Sequence, residues 1–161
     1  MYAVFPYRVY GVGKADIDIA RNTFARRVHK NSGGWQQNAI QAALLGEVGP
    51  ATGMVIRNFT TKDPKSRFPA FWGPNFDYIP DQTHGGVAMT ALQAMLLQSD
   101  GQKIYLLPAW PKEWDVEFKL HAPNNTTVEG VYRDGELESL KVTPEARAQD
   151  VIMMQPEEGP H

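Results

Sequence analysis

Apolar residues recur at helical spacing from Asp16 to about His29, where Ile17, Ala20, Phe24 and Val28 share one side and Arg21, Arg26 and Arg27 take the other. That pattern predicts an amphipathic helix ending at Asn31-Ser-Gly-Gly34. A second helix is expected from near Gly34, carrying Trp35, Ala39, Ile40, Ala43 and Leu44. It closes at Gly46, where the missing Cβ permits the left-handed residue that ends helices. Gly49-Pro50 suits a third start, because the N–H that proline lacks has no partner in a first turn. Met54, Val55 and Phe59 carry this helix to between Asn58 and Thr61. A fourth runs from about Gly85 to Gln98, and Val87, Ala88, Ala91, Leu92, Ala94, Met95, Leu96 and Leu97 make it apolar over most of its circumference. Such a helix is expected to be buried on several sides.

After Asp100-Gly101 the period changes to two. Lys103 to Leu107 and Asp115 to Ala122 read as strands, the second alternating Val116, Phe118 and Leu120 with Glu117, Lys119 and His121. Thr126 to Arg133 and Glu136 to Thr143 flank Asp134-Gly135, a strong hairpin signal because a type I′ turn needs positive φ at both central residues. Val151 to Met154 supplies one more strand, all of them expected antiparallel, and residues 155–161 read as a polar tail. Helices followed by strands predict an α+β chain, with a helical portion over 1–99 and a β domain over 100–161. These helices have too few partners to cover every apolar face, and a strand unit of roughly 50 residues is marginal alone. The pattern therefore predicts a piece of a larger protein, or self-association with another chain.

Between the third and fourth helices, Thr60 to His84 contains Pro64, Pro69, Gly73, Pro74 and Pro80 with no sustained period. Loops of roughly this length, about 25 residues, are uncommon inside compact domains and usually functional. This one gathers Phe68, Phe71, Trp72, Phe76 and Tyr78 with Asn75, Asp77, Asp81, Gln82 and His84, directly before a helix. Sugar sites need that mixture, because aromatic faces cover the C–H surface of the ring while carboxylates and amides take its hydroxyls or move protons. The same residues also have a structural reading, in which Phe68, Phe71 and Phe76 plug the core and Asp81 or Thr83 caps the helix. Trp35 is open to the same two readings, as a core residue or as a ring facing a ligand. Trp110 and Trp114, around Pro108 and Pro111, are expected to seal the joint between the helical and strand parts.

Composition narrows the chemistry. The 161 residues carry sixteen Lys and Arg against eighteen Asp and Glu, a net charge of −2 that offers nucleic acid no electrostatic footing. No apolar run approaches the roughly 18 residues needed to cross a bilayer, and the first residues lack the features of a signal peptide. The absence of cysteine excludes disulfides, thiolate metal sites and cysteine nucleophiles. His29, His84, His121 and His161 lie too far apart in sequence to place two ligands on one helix face, so neither a metal nor another cofactor is expected. Gly11-Val-Gly-Lys14 lacks the phosphate-loop pattern and reads as a turn, and no Gly-x-Ser-x-Gly elbow occurs.

Several segments, in order, resemble glycoside hydrolase family 95 and its bacterial relatives, the α-L-fucosidase group. Tyr2-Ala-Val-Phe-Pro6 resembles that family's Leu-Tyr-Gly-Leu-Phe-Pro-Gly, and Ala20-Arg-Asn-Thr-Phe24 its Ala-Arg-x-Thr-Leu. Gly33-Gly-Trp35 is similar to Gly-Gly-Thr-Gly-Trp, and Pro80-Asp-Gln-Thr-His-Gly-Gly86 to Ile-Asp-Gly-Asn-Phe-Gly-Gly. Ala94-Met-Leu-Leu-Gln-Ser99 resembles Glu-Met-Leu-Leu-Gln-Ser, and Ile104-Tyr-Leu-Leu-Pro-Ala109 resembles Ile-His-Leu-Leu-Pro-Ala, the linker into the family's C-terminal β domain.

The resemblance implies the last helices of an (α/α)6 six-hairpin barrel followed by a small β-sandwich-like domain, from a periplasmic or secreted bacterial glycosidase. It places the base-side carboxylate of an inverting mechanism on Asp81, with Trp35, Trp72, Asn75, Asp77 and His84 shaping the sugar pocket. The general acid would be a Glu on barrel helices upstream of Met1, so the chain alone is expected to be inactive, with a carbohydrate as substrate and the missing barrel portion as partner. The alternative is a non-catalytic carbohydrate-binding or structural module in which Asp81 caps a helix.

Overall fold

The computed structural model describes residues 1–31, 36–60 and 82–154, with the backbone alone at 82–84. The fold is mixed α+β. Helix α1 spans Ile17–Arg26, α2 Asn38–Leu44, α3 Val48–Thr60 and α4 Gln82–Leu96. The strands are β1 (Leu97–Asp100), β2 (Lys103–Leu106), β3 (Val116–Ala122), β4 (Thr126–Arg133), β5 (Glu136–Thr143) and β6 (Val151–Met153), with a 3-10 turn at Glu145–Asp150 before the last.

Helix α1 buries Ala20 and Phe24 as its periodicity predicts, but it stops three residues short of His29. Arg27 turns to extended backbone, so Val28 leaves the apolar stripe and stands 88% exposed. Helix α2 is buried at every position, the polar Asn38 and Gln41 included. It closes as expected at Gly46, whose φ of +73° lets the N–H groups of Gly46 and Glu47 return to the carbonyls of Ala43 and Ala42. Helix α3 holds Pro50 in its first turn and buries Ala51, Val55 and Asn58, leaving Ile56 and Phe59 exposed.

Helix α4 departs from expectation twice. It ends at Leu96 rather than Gln98, because Leu97 to Asp100 pair with β2 through a hairpin at Gly101. Burial is also one-sided: Ala88, Ala91 and Met95 face the core while Met89 is 55% exposed. Leu96-Leu97 continues the apolar pattern, so the end of the helix is invisible in periodicity alone.

The strands form two three-stranded sheets, ordered β1-β2-β6 and β3-β4-β5. The second is antiparallel throughout, and Asp134-Gly135 forms its β4–β5 turn with both φ values positive. The first corrects the antiparallel expectation, since β6 runs parallel to β2, pairing Ile104 with Val151 and Leu106 with Met153. Arg147 ties the sheets together. Its guanidinium donates to Thr126 Oγ1 at 3.0 Å, Gln102 O at 3.0 Å and Asp150 Oδ2 at 2.5 Å.

One apolar cluster contains residues of both parts, among them Leu44, Leu45 and Met95 from the helices and Ile104, Leu106, Trp110 and Val128 from the strand region. Chain direction within it is set at Gln98. Its Nε2 donates to Ala43 O at 2.7 Å and Ala94 O at 2.8 Å, so the C-terminal ends of α2 and α4 lie at one level. Helices that pack along each other with those ends level are parallel. The chain start folds over the same ends, with Val12 N–H bonded to Leu44 O at 2.9 Å and Lys14 paired to Asp100 at 2.9 Å. Gly11 to Lys14 form a turn, as expected.

Gly130 on β4 faces Phe118 of β3. A Cβ there would lie 2.6 Å from Phe118 Cζ and 3.0 Å from the carbonyl oxygen of Ser139. Gly130→Ala is therefore expected to lose about 1–3 kcal/mol by overpacking, read as a lower urea midpoint at unchanged slope.

Candidate functional site

Of the residues that the sequence assigns to a sugar site, Trp35, Trp72, Asn75, Asp77 and Asp81 lie outside the described residues. His84 is in the first turn of α4 by its backbone, and its side chain also lies outside them. The elements around them are described. Counting back from the carbonyls bridged by Gln98, α2 begins five residues before Ala43 and α4 twelve residues before Ala94. At 1.5 Å per residue, α4 therefore extends roughly 10 Å beyond the start of α2.

At that end of the helix pair lies an open concavity of about 490 Å³, formed by the chain start, the segment after α1 and the approach to α2. Its lining includes Tyr2, Arg27, His29, Gln36, Gln37 and Gln41. Asn38 also lines it but is fully occupied in holding it together. Its Oδ1 accepts from Arg27 Nε at 2.9 Å, while its Nδ2 donates to the carbonyls of His29 and Asn31. Arg27 is fixed further by a bond from Nη1 to Phe24 O at 2.5 Å and by stacking 3.5 Å above the Phe24 ring centroid. Burial lowers the pKa of this guanidinium, yet an arginine keeps its charge at neutral pH.

Gln41 differs from Asn38. It is 7% exposed, and among the described residues its amide has no hydrogen-bond partner. Sequence reasoning passed over both residues, although polar side chains at i and i+3 in a helix otherwise built of Ala, Ile and Leu were a legible signal.

A second concavity, of about 410 Å³, lies on the strand side against Trp110, Tyr132, Leu137 and Met153. Burial, and then the charge of Glu113, raises the pKa of the Tyr132 hydroxyl, which holds it neutral. This lining offers apolar contact and the side chain of Lys112, and no carboxylate. Among the described residues no group of three or more His, Asp or Glu is placed to hold a metal ion, and no helix is long and apolar enough to cross a membrane. Compared with known proteins, the chain matches no family model and no curated protein.

Proposed function

We propose that this chain is the C-terminal part of a bacterial glycoside hydrolase of the family 95 type, contributing the last helices of an (α/α)6 barrel and the β domain that follows. The observation that carries this reading is the parallel pairing of α2 and α4 with α3 returning between them. Alternating inner and outer helices of a hairpin barrel have that arrangement, and the inner helices are its apolar ones. Exposed Ile56, Phe59 and Met89 on α3 and α4 offer apolar surface to further helices.

In this reading Asp81 is the base-side carboxylate, and Trp35, Trp72, Asn75, Asp77 and His84 border the sugar. The substrate is a fucoside or a related glycoside, hydrolysed with inversion. The general acid belongs to helices outside this chain, which by itself hydrolyses nothing.

The test is the configuration of the first product. The polypeptide extended through its upstream barrel helices, given an aryl α-L-fucoside, should release β-L-fucose first in a proton NMR time course. This chain alone should release none. Release of the α-anomer first would overturn the inverting mechanism. Carbohydrate binding without hydrolysis of any aryl glycoside would favour a non-catalytic module.

A further inference from the structure

We draw no further inference here: the strongest candidate, the strand-side concavity lined by Trp110, Tyr132, Leu137 and Met153, presents an open and largely apolar lining, and nothing in the structure shows what covers it.

Discussion

On the proposed glycosidase reading, Asp81→Asn in a polypeptide extended through upstream barrel helices is expected to lower turnover by orders of magnitude while leaving folding stability nearly unchanged. An inverting glycosidase sets a carboxylic acid on one side of the glycosidic bond and a carboxylate on the other, roughly 6.5 to 9.5 Å apart, so that water fits between the sugar and the base. The carboxylate must take a proton from that water as the bond to the sugar forms. An amide of the same shape cannot take it, and the loss therefore falls on the chemical step.

A helix-capping aspartate would behave differently. Asn caps about as well as Asp, so under a capping role Asp81→Asn would be silent in both assays, whereas Asp81→Ala would cost about 0.5–2 kcal/mol of stability. Measuring turnover and urea stability for both substitutions separates the roles. Near-full turnover with Asn at position 81 would remove the residue from the mechanism.

The largest effect expected on folding is that of Trp110→Ala. Trp110 is 5% exposed and belongs to the cluster shared by helices and strands. Its ring meets Trp114 edge to face with centroids 5.5 Å apart, and its indole N–H donates to Trp114 O at 2.8 Å. Truncation removes the ring, the bond and a wall of the strand-side concavity. A destabilisation of about 3–5 kcal/mol follows, measured by urea unfolding. Trp114→Ala should cost less, because Trp114 is only half-buried. A loss at Trp110 under about 1 kcal/mol, the size of an ordinary substitution, would mean that the ring does not support the core.

Local pattern was sufficient wherever the structure is decided between near neighbours. Val116, Phe118 and Leu120 alternate with Glu117, Lys119 and His121, and that period places Phe118 inside and the charged residues outside in β3. Asp134-Gly135 and Gly46 specify their turns because each needs a backbone conformation that few other residues adopt. The helices α1 to α4 exist where apolar spacing puts them, to within a few residues.

Tertiary structure decided what local pattern could not contain. Leu97 continues the apolar run of α4, yet Leu97 to Asp100 become a strand because β2 lies within reach across Gly101. The parallel partner of β6 is more than forty positions away, so nothing in three residues of sequence could announce it. Val28 has helical spacing but lies beyond the point where Arg27 leaves the helix. Asp81 and its aromatic neighbours were singled out by residue type and by the family resemblance, and they lie outside the described residues. Gln41 is the reverse case. Its amide stands in a run of apolar residues that reads as core, and only the packing of α2 shows that the residue is largely buried yet lines an open concavity. Burial and hydrogen-bond satisfaction belong to the whole assembly of elements, which no window of sequence holds.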